Sequence, residues 1–444
     1  MSSKLFTSFN LGKSMKKQNL AAMPSAALVR NRWTSFAAVI VMAAGLAPSA
    51  LSQTYKVLHT FTGGADGASP GWVLLVRDSA GNLYGTAGRG GAYGYGNVFK
   101  LTKEGKETVL YSFSGGSDGR YPDVGVVRDS AGNLYSTTNN GGNPKCELRY
   151  AYQTAGCGVV FKLTPTRKLV VIHTFMGPDG GYPDASPLLV VNGEFYGTTG
   201  GGGVNSSCQD INDGCGTVFK LTNSSSGWTE KALYSFGWNK GWQAFSGVVA
   251  DNAGNLYGTT EGCNNGTQHP CGAVFRLAPG ANGWKYTMLH GFTGGLNGGS
   301  DGAYAWAGLA RDSAGNLYGA TQYGGTHNFG TIFKLTPTGK KTELYSFTGS
   351  DGAYPLSTLT LDASGNLYGT TAEGGSSGTG CGGAGCGTIF KLDTAQHLTV
   401  LHNFTGGNDG GIPLGALLLD GGKLYGTVNG GGAYNSGTVF ELTP

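Results

Sequence analysis

The chain has 444 residues, of which 82 are glycine, about 18% against a usual share of about 7%. With only 15 prolines and no glycine at every third position it is not a collagen, and with 39% hydrophobic and 11% aromatic residues it is too apolar for a flexible linker. Charged residues make up only 13% and helical periodicity is scarce, which disfavours a large helical protein and favours an all-β chain with many glycine turns.

The amino terminus has the pattern of a secretory signal. Residues 1–34 carry six basic and no acidic side chains, and the chain becomes apolar from Phe36. The apolar stretch is short for a membrane span, and Ala50 and Ser52 place small residues before a cleavage site. We therefore predict a signal peptide with a long basic n-region over residues 1–52 and no transmembrane domain in the mature chain.

The signal also accounts for the positive charge of the whole chain. Once its six basic residues are set aside, residues 53–444 carry 24 basic and 26 acidic residues, so the net charge changes from +4 to −2. Nucleic acid binding thereby loses its electrostatic basis. Two alternatives stay open at this point: translation starts at Met15 or Met23, or the apolar segment is an uncleaved anchor.

One repeated unit fills the rest of the chain. Its most regular segment reads DSAGNLYGTA in the first copy, and the motif tyrosines are spaced 50 to 61 residues apart. Each copy also has segments similar to NVFKL, VLHTF and WVLLVRD, which are short, apolar and bounded by Gly, Asp, Asn or Pro, as strands are. The seven motif tyrosines are Tyr84, Tyr135, Tyr196, Tyr257, Tyr318, Tyr368 and Tyr425.

Four strands in each of seven units are typical of a β-propeller. We name the strands a (ending at the Asp of DSAGN), b (the tyrosine strand), c (the FKL strand) and d (the LHTF strand). The mature chain begins with a d strand, Val57–Phe61, and ends with a c strand. We predict an all-β, seven-bladed propeller over residues 53–444, closed by the first strand completing the last blade. An open solenoid is the alternative, but it would leave both ends uncapped.

In such a blade the connections sort onto two faces. The a–b and c–d turns lie on one face and are short, as Asp, Asn and Gly turns require. The b–c and d–a connections lie on the other face and vary in length and sequence, so we expect a functional surface there. We call this the long-loop face.

The repeat resembles a known family. The order NLYGTT, GG and GTVFKL, recurring over about residues 55–444, is similar to the Gloeo/Verruco (GloVer) tandem repeat of exported bacterial proteins. The resemblance implies a propeller-like protein located in the periplasm or outside the cell. It implies no particular activity and supplies no catalytic residues.

All eight cysteines lie in b–c connections. They occur in pairs, and only in the four blades whose b–c connection is lengthened. We predict four local disulfides formed in an oxidising compartment, and zinc binding is the less favoured alternative because the pairs lack C-x-x-C spacing. The predicted bonds are Cys146–Cys157, Cys208–Cys215, Cys263–Cys271 and Cys381–Cys386.

The remaining polar motifs point to structure rather than chemistry. The G-x-S-x-G matches lie in glycine-rich β connections and not in a strand-to-helix turn, so no catalytic serine is predicted. The recurring Asp of the d–a connection is interpreted as a turn residue and not as a calcium ligand. We predict no metal and no cofactor. Four histidines occupy a d-strand position that is tyrosine in the other blades, which is typical of packing: His59, His173, His290 and His402.

Aromatic residues accumulate on the long-loop face. Ring faces flanked by Asn, Asp and Gly suit stacking on sugar rings, although packing between blades also uses them. We favour the blade 4 pair because it interrupts the repeat. The predicted ligand-binding residues are Trp238, Trp242, Tyr304, Trp306, Tyr150 and Tyr323.

These features favour an exported, monomeric, non-enzymatic propeller that binds a glycan or a surface macromolecule. A carbohydrate-active enzyme, either a glycoside hydrolase or a polysaccharide lyase, is the first alternative. It requires two convergent carboxylates, and Glu147, Glu261 and Glu373 lie in suitable loops without a recognisable pairing. A structural protein of the cell envelope is the second alternative.

Overall fold

The computed structural model describes residues 53–444 apart from short loop segments, and the predicted signal peptide lies outside the described residues. Among the described residues, none forms a helix long and apolar enough to cross a membrane. The omitted loop positions are 147, 149–155, 184–186, 206–213, 238–240, 263–270, 295–298, 377–380 and 382.

The described residues form seven four-stranded antiparallel sheets, each an up-and-down blade, which confirms the predicted propeller. The chain opens with β1 (Thr54–Thr60). Blades 1 and 2 contain β2 (Val76–Arg77), β3 (Leu83–Ala87), β4 (Asn97–Leu101), β5 (Glu107–Ser112), β6 (Val127–Arg128), β7 (Leu134–Thr138), β8 (Val159–Leu163) and β9 (Leu169–Thr174). Blades 3 and 4 contain β10 (Leu189–Val191), β11 (Glu194–Thr199), β12 (Thr217–Ser224), β13 (Gly227–Ser235), β14 (Val249–Ala250), β15 (Leu256–Thr260), β16 (Ala273–Gly280) and β17 (Gly283–Gly291). Blades 5 to 7 contain β18 (Ala310–Arg311), β19 (Leu317–Thr321), β20 (Thr331–Leu335), β21 (Lys341–Ser346), β22 (Thr360–Leu361), β23 (Leu367–Thr371), β24 (Thr388–Leu392), β25 (Leu398–Asn403), β26 (Leu418–Asp420), β27 (Lys423–Val428) and β28 (Thr438–Thr443).

The ring closes as predicted. Strand β1 pairs antiparallel with β28, in a register that runs from Thr54 opposite Thr443 to Thr60 opposite Thr438, with one irregularity. The pairing begins three residues before the predicted start at Val57. Blade 7 is therefore built from both ends of the described chain.

Each blade is cored by a phenylalanine of strand c, which packs over a glycine of strand b in six blades and over Ser136 in blade 2. In blade 1, Phe99 of strand c lies opposite Gly85 of strand b, and a Cβ on Gly85 would come within 2.8 Å of the Phe99 ring. The same pair recurs in blade 6 as Gly369 and Phe390. Where glycine occupies this position, it serves the close packing of the phenylalanine ring and not a turn.

The blades are joined to one another by a second phenylalanine. Phe61, at the end of the d strand of blade 7, contacts Phe99 of blade 1 edge to face, with ring centroids 5.3 Å apart. Both rings are fully buried. The corresponding pair between blades 5 and 6 is Phe347 and Phe390, also 5.3 Å apart. Each such contact adds roughly 0.5–1.5 kcal/mol to the apolar area that it buries.

The inner strand is shorter than the sequence predicts. WVLLVRD reads as one strand, but only Val76 and Arg77 pair with strand b. The preceding residues bend towards the axis, where Trp72 forms a bridge with Val124 of blade 2. These segments therefore line the centre of the ring rather than extend the blades.

Candidate functional site

The long-loop face is organised by one residue per blade with positive φ. Its φ lies between 52° and 59° in every blade, in the region that side chains other than glycine rarely adopt. We call these the junction residues: Ser69, Tyr121, Tyr182, Gln243, Tyr304, Tyr354 and Ile412.

The junction residues connect the loops of neighbouring blades. The N–H of Tyr304 donates to the carbonyl of Cys271 in the b–c loop of blade 4, at 2.8 Å. The carbonyl of Tyr304 accepts from the N–H of Gln322 in blade 5, at 2.9 Å. The same two bonds occur at Tyr354 with Phe329 and Ala372. The strained backbone is thus held in place by hydrogen bonds to both sides.

Two of the junction tyrosines form an aromatic cluster with a third tyrosine. Tyr323 lies between Tyr304 and Tyr354, with ring centroids 5.6 Å and 5.2 Å away. Burial raises the pKa of all three hydroxyls, and nearby carboxylates add to this effect, Glu261 at Tyr304 and Glu373 at Tyr323 and Tyr354. Burial also raises the pKa of Glu373. The cluster therefore presents neutral phenols beside two carboxyl groups.

An apolar cavity of about 520 Å³ lies on the axis. Three aromatic rings lie at its long-loop end, those of Trp72, Phe245 and Trp306. Each of these residues follows the junction residue of its blade by two or three positions, which places it on this face. Trp306 stacks on Phe245 with centroids 4.9 Å apart and planes 6° apart, and on Trp72 with centroids 5.9 Å apart. Trp72 and Trp306 stay partly exposed, whereas Phe245 is buried.

The rest of the cavity wall is aliphatic, with polar groups on one side. Leu74, Leu356 and Leu414 contribute to the lining near the aromatic rings, and Ser357 and Thr358 of blade 6 supply hydroxyls. A volume of this size with a few polar groups is typical of small-molecule sites.

The blade 1 side of this face carries basic side chains, whereas the tyrosine cluster lies beside acidic ones. The guanidinium of Arg89 lies 3.8 Å from the centre of the Tyr121 ring and 3.8 Å from Oδ1 of Asp123. Arg120 lies 5.3 Å from the same ring centre. Burial raises the pKa of Asp123, and Arg89 opposes this increase. The junction tyrosine of blade 2 is therefore flanked by cations.

The structure brings together three of the predicted ligand-binding residues. Tyr304 and Tyr323 are in contact, and Trp306 lies two residues from Tyr304 at the cavity mouth. Trp242 instead packs against the hydrophobic core and against Gly262, where a Cβ would come within 2.0 Å of its ring. Two further predicted residues lie outside the described residues, Trp238 and Tyr150.

Two of the predicted disulfides are present. Cys146 is bonded to Cys157 and Cys381 to Cys386, with Cα atoms 5.7 Å and 5.3 Å apart. Cys157 also accepts the hydrogen bond of junction residue Tyr182. These disulfides therefore brace the lengthened loops where neighbouring blades meet. Cys215 and Cys271 are disulfide-bonded as well, and their predicted partners Cys208 and Cys263 lie outside the described residues.

The histidines and the recurring aspartates form pairs at the outer edge of the face. His173 Nε2 lies 2.9 Å from Asp179 Oδ2, and Tyr111 donates to Asp118 at 3.0 Å in the equivalent place. The Asp179 carboxylate also accepts the N–H of Met176. These bonds agree with the interpretation of the aspartates as turn residues, and they pair the histidine with the carboxylate of the turn.

Sequence reasoning missed several residues of this face. Trp72, Phe245 and Trp306 all lie four residues before the start of the inner strand of their blade, and a comparison of that position across blades would have found the first two. Tyr121, Tyr182 and Tyr354 share a D-G-x-Y-P motif. The sequence signal that could have identified these residues is a tyrosine before proline, directly after the recurring Asp-Gly turn.

The fold and this face together define a seven-bladed β-propeller with an axial, aromatic-lined site. The family model of the Gloeobacter/Verrucomicrobia repeat matches residues 46–147 and 147–382. The chain belongs to this family, as the repeat motif predicted.

Two solved structures show how far the similarity to other proteins extends. A luciferin-regenerating enzyme is 16% identical, with 72% of this chain and 90% of that chain covered, at a TM-score of 0.41. A gluconolactonase from Xanthomonas campestris is 13% identical, with 88% and 89% covered, at a TM-score of 0.38. At these values neither similarity bears on what the chain binds. No match was found among the curated proteins.

Proposed function

We propose that the protein is an exported carbohydrate-binding propeller whose ligand lies at the axial mouth of the long-loop face. One observation carries the proposal: the partly exposed rings of Trp72 and Trp306 border an apolar cavity of about 520 Å³. Tyr304 precedes Trp306 by two residues, and its ring contacts the ring of Tyr323. Aromatic faces beside hydroxyl groups match a sugar ring, which has apolar faces and a polar rim.

The distribution of exposed apolar side chains supports the same face. Among the described residues, seven large apolar side chains are exposed, and five of them lie in b–c or d–a connections. These side chains add apolar surface to the face on which the ligand is proposed to bind. The five are Tyr93, Met176, Val204, Ile412 and Tyr434.

A glycan array tests the proposal, with hits verified by calorimetry. We expect Trp306→Ala to weaken binding by about tenfold or more, since truncation of an aromatic anchor costs roughly 2 kcal/mol. Trp284→Ala is the matched control, because Trp284 lies in the c–d hairpin on the opposite face. Absence of binding to any glycan, or equal loss in both variants, would refute the proposal.

Export is supported by the signal pattern of residues 1–52 and by the disulfides Cys146–Cys157 and Cys381–Cys386, which persist in oxidising compartments. Amino-terminal sequencing of protein recovered outside the cytoplasm tests this part. A mature chain that starts at Gln53 is expected, and an intact Met1 would contradict it.

A carbohydrate-active enzyme is the second candidate, and one observation favours it. Glu261 and Glu373 lie on either side of the Tyr304 and Tyr323 pair, and the pKa of Glu373 is raised by burial, as a general acid requires. Incubation with the glycans that bind, followed by an assay for new reducing or unsaturated ends, separates the two candidates. Turnover that is lost in Glu373→Gln would establish the enzyme.

A further inference from the structure

The outer edge of the junction between blades 2 and 3 holds three groups that commonly bind metals. His173 lies near the end of β9, Asp179 follows in the d–a connection, and Glu230 lies on β13 of the next blade. One ligand atom from each lies within 4.8 Å of the other two. We call this trio the 2/3 cluster.

The 2/3 cluster contains a carboxyl oxygen that the described part of the chain does not satisfy. Oε1 of Glu230 is buried and has no hydrogen-bond partner among the described residues, while Asp179 places a second carboxylate beside it. An unsatisfied carboxylate at such a site is costly unless a cation compensates it.

Comparison of the blades shows that packing does not require a carboxylate here. The position of Glu230, opposite the last leucine of strand c, is Leu169 in blade 2 and Leu398 in blade 6. In those two junctions the preceding d strand carries tyrosine instead of histidine, at Tyr111 and Tyr345. Glutamate at this position therefore occurs beside a histidine–aspartate pair, and the fold does not require it.

The junction between blades 4 and 5 has a cation at the same place. Lys341 occupies the position of Glu230, and its Nζ lies 2.9 Å from Oδ1 of Asp301. His290 Nε2 lies 3.0 Å from the same oxygen. Although burial opposes it, the bonds from His290 and Lys341 hold the pKa of Asp301 well below its usual range. This junction is thus neutralised by the chain's own ammonium group.

We propose that the 2/3 cluster binds one divalent transition-metal cation through His173 Nε2, Asp179 Oδ2 and a Glu230 carboxylate oxygen. One imidazole and two carboxylates suit zinc and related ions, whereas calcium prefers oxygen ligands alone. Asp179 Oδ1 already accepts the N–H of Met176, so Oδ2 faces the cluster. This inference departs from the prediction of no metal, in which His173 was a packing residue and Glu230 played no part, and it does not depend on the proposed function.

Zinc titration of the chelator-treated, untagged full-length protein tests the site. Calorimetry under non-reducing conditions keeps the disulfides intact and is expected to show a site that is lost, or weakened by about tenfold or more, in His173→Tyr and in Glu230→Leu. Both substitutions install residues that other blades carry at these positions, so the variants are expected to fold. Zinc should also raise the melting temperature of the unmodified protein and not of the variants.

The equivalent junction between blades 7 and 1 supplies the control. It contains His59, Asp66 and Glu107, but among the described residues only the 2/3 cluster brings three such ligand atoms within 4.8 Å of one another. Glu107→Leu should leave the 2/3 site intact. Zinc binding that survives both His173→Tyr and Glu230→Leu would overturn the proposal. So would the absence of a visible absorption band when one equivalent of cobalt(II) is added to the unmodified protein.

Discussion

The junction residues are strained in two ways. A positive φ costs a side chain other than glycine roughly 1–2 kcal/mol, and five of the seven junction residues also precede proline, which favours extended backbone instead. Ile412 is the extreme case, since it is β-branched, has a φ of 59° and is 38% exposed. Its side chain therefore gains little from packing to offset the strain.

Replacement of Ile412 by asparagine should stabilise the protein. Asparagine tolerates positive φ better than a β-branched residue, and the N–H of residue 412 keeps its bond to the Cys386 carbonyl. We expect the free energy of unfolding to rise by about 1 kcal/mol, measured by chemical denaturation. Ile412→Val is the control and should change little. A loss of stability in Ile412→Asn would contradict the strain.

The stability of the protein should depend on pH through Glu230. Glu230 has a pKa of about 7 in the folded protein against 4.5 as its usual value, so the folded state binds more protons between these limits. The free energy of unfolding therefore falls as pH rises through this window. In chelator-treated protein, Glu230→Gln should be more stable than the unmodified protein at pH 8 and differ little from it at pH 5. Equal effects at both pH values would exclude a raised pKa.

Among the structural elements, the a–b turn is the one most completely specified by sequence. In blade 5, Asp312 Oδ1 accepts the N–H of Asn316 at 2.8 Å, and Oδ2 accepts from Asn316 Nδ2 and the Tyr318 hydroxyl at 2.7 Å and 3.0 Å. Burial opposes ionisation, but these bonds outweigh it and lower the pKa of Asp312. The DSAGNLY motif thus fixes the a–b turn and holds the end of the short inner strand against strand b.

Asp312→Ala should therefore weaken blade 5 as a unit. We expect a loss of about 2–3 kcal/mol, because three hydrogen bonds to a carboxylate disappear while their donors remain. Tyr318→Phe, which removes only one of these bonds, should cost about 1 kcal/mol. Urea denaturation measures both, and equal losses would show that the turn does not depend on the carboxylate.

Some strands and residues could be predicted from the sequence and others could not. Strands b, c and d were predictable because each has its own apolar pattern between turn residues. The inner strand was predicted too long, because its apolar residues line the axial cavity rather than a β ladder. Tyr121 was missed as a junction residue, since nothing local predicts positive φ before proline. Trp72 was missed because its role depends on Trp306, more than two hundred residues away.

At the scale of the whole molecule, the closure between β1 and β28 should contribute as much as any covalently joined junction. Tyr55 stacks on His402 at 3.9 Å and donates to the Asp409 carbonyl, so β1 is tied to blade 6 as well. Burial, with Asp409, raises the pKa of the Tyr55 hydroxyl strongly, which keeps it a donor.

Two matched phenylalanines test this equivalence. Phe61→Ala removes the buried ring at the closure, and Phe347→Ala removes its counterpart between blades 5 and 6. Each should cost about 3–5 kcal/mol. Thermal or denaturant unfolding measures both. A loss below about 1 kcal/mol for Phe61→Ala alone would mean that the junction between blades 7 and 1 is not packed in solution as the other junctions are.

A crystal structure of the protein with an oligosaccharide selected by array binding would show whether the ligand lies at the axial mouth of the long-loop face. We expect a sugar ring against Trp72 or Trp306 at the long-loop end of the axial cavity. A sugar bound instead at the a–b and c–d turns, on the opposite face, would contradict this expectation.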